Sequence, residues 1–246
     1  MLTAHHTKLT PSAWSATTSQ AGYGPENLAT ESLGRPFRAA DAGATDVTIE
    51  FPAPIAFATL FLHDVNFSAA AIETSPDAIA FAPAGNLATY ANEAGRRRGS
   101  VLLNAVGVQA LKVRIAAGVP TDGLAYWRGG AAYVMQTAAA LPVGPRIGYA
   151  VRTRRALLSV DLPNNQVAQA TIGPDADVIE LSFERKFGQS LQALIERAKA
   201  GTVILAHDLT DWPEQQWPVR YLERDGTETY FRVHKAQRQL TLRETV

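Results

Sequence analysis

Cysteine is absent from the 246-residue chain. Its absence excludes disulfide frameworks, cysteine-ligated zinc sites, iron–sulfur clusters and thiol nucleophiles. Charge of one sign is not in excess either, because 23 Lys and Arg residues balance 23 Asp and Glu residues. A neutral chain lacks the long-range field with which proteins hold nucleic acid or anionic membranes, so we expect neither partner.

Long apolar runs are also missing. No stretch approaches the roughly 20 apolar residues of a membrane span, and the longest mild run, residues 101–117, is interrupted by polar side chains. The N-terminal sequence MLTAHHTKLTPSAW shows no signal peptide, because no apolar core follows a basic start. We therefore expect a soluble protein that is made in the cytosol and has no membrane span.

Alternating apolar residues predict strands through the first 145 residues. Residues 46–51 and 109–115 alternate apolar with polar side chains, which is the pattern of half-buried strands. Residues 55–63 (IAFATLFLH) are almost wholly apolar, as in a central strand of a sandwich, and Pro52 and Pro54 should separate them from the preceding strand. Frequent glycine and proline between short strands indicates an all-β sandwich or barrel.

The segment AAALPVGP, which ends at Pro145, predicts a domain boundary because it combines two prolines with a glycine. We predict a mainly β protein with two domains. Residues 1–140 should form a β-sandwich, and residues 146–246 a smaller, β-rich, barrel-like domain. Apolar residues at helical spacing predict one helix in the second domain, at about residues 189–200.

Sequence motifs of common enzymes and of calcium-binding loops are missing, with no GxxxxGK[ST], HExxH, GxSxG or EF-hand pattern. Two His-Asp pairs, His63-Asp64 and His207-Asp208 (with Asp211 nearby), follow apolar strands, but their generic spacing favours a polar strand end over a metal or acid/base site. His5 and His6 could bind a metal as a pair, but a frayed N-terminal segment explains them better. We expect no enzyme, catalytic residue or cofactor. A calcium site in the first domain stays an alternative, because loop carbonyls leave no spacing signature.

Large aromatic residues in the second domain exceed what a small core needs. Such residues are typical interface anchors, and they are Trp212, Trp217, Tyr221 and Phe231. The two tryptophans lie beside prolines, so stacking on a sugar or capping the β core are the alternatives. Arg96, Arg97 and Arg98 predict a solvated loop or a contact with an acidic neighbouring subunit, since the neutral chain offers no field for phosphate.

The first half of the chain resembles a known family. The segments that carry the resemblance are residues 14–28 (WSATTSQAGYGPENL), 34–39 (GRPFRA), 47–51 (VTIEF), 57–62 (FATLFL), 109–115 (QALKVRI) and 126–135 (YWRGGAAYVM). In pattern and order they are similar to discoidin-like, galactose-binding-like jelly-roll sandwiches. The whole arrangement resembles minor tail or tail-tip proteins of long-tailed bacteriophages (siphoviruses).

The resemblance implies a structural component of a tail tip or baseplate, located in the virion. Its partners would be other tail proteins, namely the tube, distal tail, hub and tape-measure proteins. Tail tips are built from rings, so it also implies a homo-oligomeric ring, with which a neutral surface is consistent. The alternative is a carbohydrate-binding module that attaches a particle to cell-surface glycan, and a glycosidase or esterase comes third.

These alternatives predict different surfaces. A shallow exposed site with aromatic residues near the loops of the first domain would favour glycan binding, although the sequence shows no obvious exposed aromatic loop. Two buried carboxylates about 5–10 Å apart in a cleft would favour a glycosidase. Large flat apolar patches on both domains would favour assembly.

Overall fold

The computed structural model describes residues 3–30, 34–91, 95–140, 150–154, 157–162, 166–171, 176–184, 196–206, 216–221 and 237–244. Strands predominate in it, so the prediction of a mainly β protein that begins with a β-sandwich is confirmed. None of the helical residues in this part of the chain belongs to a helix long and apolar enough to cross a membrane.

Ten strands are described in the first half: β1 (Thr3–Lys8), β2 (Ala13–Ala16), β3 (Phe37–Arg38), β4 (Thr45–Val65), β5 (Ala69–Ser75), β6 (Ala82–Ala88), β7 (Tyr90–Ala91), β8 (Arg97–Ile115), β9 (Arg128–Gly129) and β10 (Ala131–Ala140). Seven follow: β11 (Ala150–Arg154), β12 (Leu157–Leu162), β13 (Gln166–Thr171), β14 (Ala176–Glu184), β15 (Val203–Ala206), β16 (Gln216–Tyr221) and β17 (Gln237–Glu244). A short 3₁₀ helix spans Pro25–Ala29.

The long strands β4 and β8 organise the sandwich. They pair antiparallel along most of their length, with register shifts between Glu50 and Thr59 of β4. Before the shifts β4 also pairs with β2, and after them it pairs with β10. Each long strand therefore contributes to both layers, which is how strands turn the corners of such sandwiches.

The prediction that Pro52 and Pro54 separate two strands is wrong, because both lie inside β4. The two prolines are exposed, and they fall between the register pairs Glu50↔Ala110 and Ile55↔Val108. A proline has no N–H to donate to a ladder, so a bulged, solvent-facing stretch is where a strand accommodates it.

One apolar cluster fills the space between the layers. Its members come from both halves of β4, from β8, from β10 and from the loops, and include Leu28, Phe37, Val47, Ile49, Leu60, Leu62, Leu111, Val113, Trp127 and Val134. Burying a large apolar side chain contributes about 1.5–3 kcal/mol. The cluster begins at Leu28 and ends at Val134, so its members all come from the first half.

Strand β1 joins the two halves of the chain. It pairs with β10 on one side and with β15 on the other, and the sheet continues through β16, β17 and β14 to β11. His5 and His6 lie in this strand and are 3% and 7% exposed, so the prediction of a frayed N-terminus is wrong. The strand is ordered because it has a hydrogen-bonded neighbour on each side.

The second half is described in parts. Residues 196–200 are helical, Ala198 is buried, and the N–H of Gly201 donates to the carbonyl of Arg197 at 3.1 Å. The rest of the predicted helix, from residue 189, lies outside the described residues. So do Pro142 and Pro145, and the domain boundary and the barrel-like second domain stay predictions.

We predict that residues 1–140 fold when expressed alone, because β1 keeps β10 when β15 is removed. These residues also supply every buried member of the large cluster and all but Ile204 of a smaller cluster of Phe61, Ala131, Tyr133, Met135 and Ile204. Circular dichroism should show a β protein with a cooperative urea transition. A fragment of residues 1–125 is the control, since it lacks β10 and should not fold. An unfolded 1–140 fragment would contradict the predicted boundary.

We also predict that the protein loses stability as the pH is lowered, because His5 is buried. Burial, with a smaller contribution from the charge of His6, lowers the pKa of His5 from 6.5 to about 4. Between pH 6.5 and pH 4, His5 is protonated in the unfolded chain and stays neutral in the folded chain. The free energy of unfolding therefore decreases as the pH falls from 6.5 towards 4. The shift corresponds to about 3 kcal/mol.

Urea titrations at pH 7 and pH 4 measure this loss. The Nδ1 atom of His5 lies 2.8 Å from Oγ1 of Thr59, and His5→Asn places a non-titrating polar group there. We expect the loss in the variant to be smaller by about 3 kcal/mol. Equal pH dependence in the two proteins would show that His5 does not titrate as described.

Candidate functional site

Three loop segments meet at one place on the sandwich, and each belongs to a motif that carries the family resemblance. Tyr23 precedes the 3₁₀ helix, Arg38 ends β3, and Tyr126 lies just before β9. The N–H of Arg38 donates to the carbonyl of Tyr23 at 3.0 Å, and Arg38 pairs with Arg128 across β3 and β9. Backbone hydrogen bonds therefore hold the three segments side by side.

The first of these segments is shaped by a tight turn. Gly22 has a φ of +80°, a conformation that a side chain would strain, and the N–H of Tyr23 donates to the carbonyl of Gln20 at 3.0 Å. Pro25 then starts the 3₁₀ helix, for which its fixed φ is suited. The turn brings the ring of Tyr23 next to Arg38.

The guanidinium carbon of Arg38 lies 3.9 Å from the ring centroid of Tyr23 and 5.5 Å from that of Tyr126. Contacts at these distances are cation–π interactions, worth about 0.5–1 kcal/mol each at exposed sites. We call Tyr23, Arg38 and Tyr126 the Tyr–Arg–Tyr cluster. All three side chains are half-buried, so each has a packed side and a solvent-facing side.

Within the described residues, the polar groups of this cluster are not used for internal bonding. The guanidinium of Arg38 makes no hydrogen bond or ion pair with them, and its Nε is buried without a partner. Neither phenol hydroxyl of the cluster bonds to a described residue. The cluster thus keeps most of its hydrogen-bonding capacity for another molecule.

Asn66 holds the third segment in place. It follows β4 and is 1% exposed. Its Nδ2 donates to Oδ1 of Asp122 at 3.0 Å and to the carbonyl of Tyr126 at 2.9 Å, while its Oδ1 accepts from the N–H of Arg128 at 2.6 Å. One buried amide therefore fixes the loop that carries Tyr126.

Trp127 anchors the same loop from the other side of its backbone. The indole is 3% exposed, packs edge-on against Phe67 at 6.4 Å, and donates from Nε1 to the carbonyl of Gly43 at 2.8 Å. With Trp127 buried, its neighbours Tyr126 and Arg128 are half-buried. Anchoring of this kind reduces the conformational entropy that the exposed residues would lose on binding.

Arg128 differs from Arg38 in having acidic partners. Its Nη2 lies 3.1 Å from Oδ1 of Asp64, and its Nε lies 3.8 Å from Oδ2 of Asp122. Asp64 is 6% exposed and has a φ of +53°. These carboxylates are engaged with Arg128 and Asn66, so they fix the loops.

His63 and Asp64 lie near the end of β4, just before its last residue, Val65. His63 is fully buried. Among the residues that the structure describes, no group of three or more His, Asp or Glu side chains is placed to hold a metal ion. His207, Asp208 and Asp211 lie outside those residues.

The arginine run is not the solvated loop that its sequence predicts. Arg97 and Arg98 belong to β8, and Arg98 is 1% exposed, opposite His63 in the register. Arg97 donates to the hydroxyl and the carbonyl of Thr89. The solvated-loop prediction is wrong for Arg98, since strand pairing places it in the interior, and for Arg96 and Arg97 the interface role stays a prediction.

The predicted aromatic interface falls largely outside the described structure. Trp212 and Phe231 are not among the described residues. The backbones of Trp217 and Tyr221 lie in β16, opposite Leu205 and Leu242, and their side chains are not described. An interface role for these four residues stays a prediction.

An open groove of about 650 Å³ is an alternative candidate for the binding site. It is lined mostly by alanines, and its charged residues bond within the protein. Arg114 lies 3.1 Å from Asp46 and 2.8 Å from Glu73. The groove therefore offers fewer free polar groups than the Tyr–Arg–Tyr cluster.

We predict that Asn66→Ala destabilises the protein by about 2–4 kcal/mol, because it removes three hydrogen bonds and leaves buried partners unsatisfied. Urea unfolding measures the change. Asn86→Ala in β6 is the matched control, since Asn86 is exposed and its loss should stay within about 0.5 kcal/mol. Equal effects of the two substitutions would contradict the anchoring role.

No protein-family model and no curated protein sequence matches the chain. Among the solved structures to which it is similar, one is chitosan-binding module 1 of a chitosanase/glucanase from Paenibacillus sp. IK-5. It is 13% identical, with 53% of this chain and 98% of that chain covered and a TM-score of 0.43.

A second is CBM32-3 of a family 31 glycoside hydrolase from Clostridium perfringens, with 14% identity, 55% and 91% coverage and a TM-score of 0.42. A third is the C-terminal domain of a chitobiase from Bacteroides fragilis, with 16% identity, 55% and 100% coverage and a TM-score of 0.43. None of the three is described as a tail protein. The likeness is one of β-sandwich fold, and its scores are too low to carry an argument about ligand or partner.

Proposed function

We propose that this chain binds glycans at the Tyr–Arg–Tyr cluster. The observation that carries the proposal is a pre-organised aromatic and guanidinium surface whose hydrogen-bonding groups are not used by the described residues. The cluster lies on loops of the first half, where an aromatic site would favour glycan binding, and its three side chains are half-buried.

The chemistry of a sugar fits such a surface. A pyranose offers hydroxyls, which donate and accept hydrogen bonds, and apolar C–H faces, which pack on aromatic rings. The two tyrosines supply both a ring and a phenol, and Arg38 supplies the donors of a planar guanidinium. A polyhydroxylated ligand can therefore bond to the phenol hydroxyls and to the outer guanidinium nitrogens of the cluster.

Rigidity favours binding at this surface. Asn66 and Trp127 hold the loop of Tyr126 by hydrogen bonds of 2.6–2.9 Å, and Arg38 is held by backbone pairing on both sides. Aromatic side chains have only two χ angles, so on a fixed backbone they lose little conformational entropy when a ligand binds.

The proposal concerns binding without turnover. Asp64 and Asp122 both lie against Arg128, which is a structural arrangement and not the separated acid and nucleophile of a glycosidase.

The tail-tip role, the ring and the virion location rest on the family resemblance alone, and the described residues add no support to them.

A glycan array probed with the full chain tests the proposal, followed by calorimetry on the glycans it retains. Tyr23→Ala and Arg38→Ala should each weaken binding about tenfold or more, because each removes one part of the cluster. Both variants should still unfold cooperatively.

Matched controls keep this result specific. Tyr90 and Arg35 are exposed residues outside the cluster, so Tyr90→Ala and Arg35→Ala should bind as the parent chain does. The proposal fails if the array retains no glycan, or if the cluster variants bind as tightly as the controls.

A further inference from the structure

Among the residues that the structure describes, Arg38 and its strand partner Arg128 differ in their acidic neighbours. Arg128, which pairs with Arg38 across β3 and β9, has carboxylates of Asp64 and Asp122 at 3.1 and 3.8 Å. Arg38 has no ion pair with any described residue. The carboxylate of Asp41, close to Arg38 in sequence, accepts from the N–H of Gly43 at 2.7 Å.

The geometry of Arg38 also selects the shape of its partner. A guanidinium donates hydrogen bonds only in its own plane, and the guanidinium carbon of Arg38 lies 3.9 Å from the ring centroid of Tyr23. A carboxylate is planar and accepts two parallel N–H bonds from such a fork, whereas a hydroxyl accepts one. The positive charge and the planar donor fork of Arg38 therefore point to the same chemical group.

We infer that the ligand is an acidic glycan, one whose sugar bears a carboxylate, as uronic and sialic acids do. The carboxylate would lie in the plane of the Arg38 guanidinium, and the sugar ring and its hydroxyls would lie against the tyrosines. This inference rests on the proposed function and narrows it. Arg38 has no counter-ion among the residues that the structure describes, and a neutral sugar would not supply one.

Two ligand pairs isolate the carboxylate. Trigalacturonic acid and 3′-sialyllactose are each compared with their own methyl ester by calorimetry on the full chain. At least one acidic member should bind about tenfold or more tightly than its neutral counterpart, and that preference should shrink as salt rises. A sulfated lactose is included to separate carboxylate recognition from attraction to any anion.

Variants of Arg38 assign the preference to this residue. Arg38→Gln should abolish it, and Arg38→Lys, which keeps the charge but loses the fork, should lose most of it. Arg35→Gln should retain the preference for the acidic ligand. Tyr23→Ala should weaken the binding of the acidic and the neutral member of a pair alike. Cooperative unfolding of each variant shows that it is folded.

The outcomes separate this inference from the proposed function. The inference is overturned, and glycan binding stands, if the acidic and neutral members of each pair bind with equal affinity. The same holds if the array retains only neutral glycans and Tyr23→Ala weakens their binding. A preference that survives in Arg38→Gln, or sulfated lactose binding as tightly as 3′-sialyllactose, also overturns it. An array with no ligand at all removes both.

Discussion

The antiparallel pairing of β4 with β8 is the constraint on which the core and the candidate site both depend. These strands of 21 and 19 residues pass from one layer of the sandwich to the other. Their bend encloses the apolar cluster, and the end of β4 delivers Asn66 to the loop that carries Tyr126. A shift of one residue in this register would move the apolar residues of β4 out of the core.

The loops that carry the site are held in place by polar groups that bond to one another or to the backbone. Asn66, Asp64 and Arg128 bond to one another or to nearby backbone, which fixes the loops in a single arrangement. Arg38 lies 3.9 Å from the ring centroid of Tyr23 and has no carboxylate partner among the described residues. Interior groups that satisfy each other hold a structure, and rigid surface groups with free donors are suited to binding.

Periodicity in the sequence predicted the strands well, because alternation at residues 46–51 and 109–115 reports directly on a buried face. It did not predict that β4 runs through Pro52 and Pro54, since that depends on the bulge opposite them. Nor did it predict the burial of His5 and Arg98, which follows from pairing with distant strands. The three motifs of the cluster were visible in the sequence, but their meeting was not, because it depends on backbone pairing between distant segments.

The central claim is that the Tyr–Arg–Tyr cluster binds a sugar, and a crystal structure of the full chain with the tightest glycan from the array tests it most directly. The account predicts a sugar unit with polar atoms at hydrogen-bonding distance from the Arg38 guanidinium and its ring in contact with Tyr23 or Tyr126. A sugar bound in the alanine-lined groove beside Asp46 and Arg114, with the cluster empty, would contradict it.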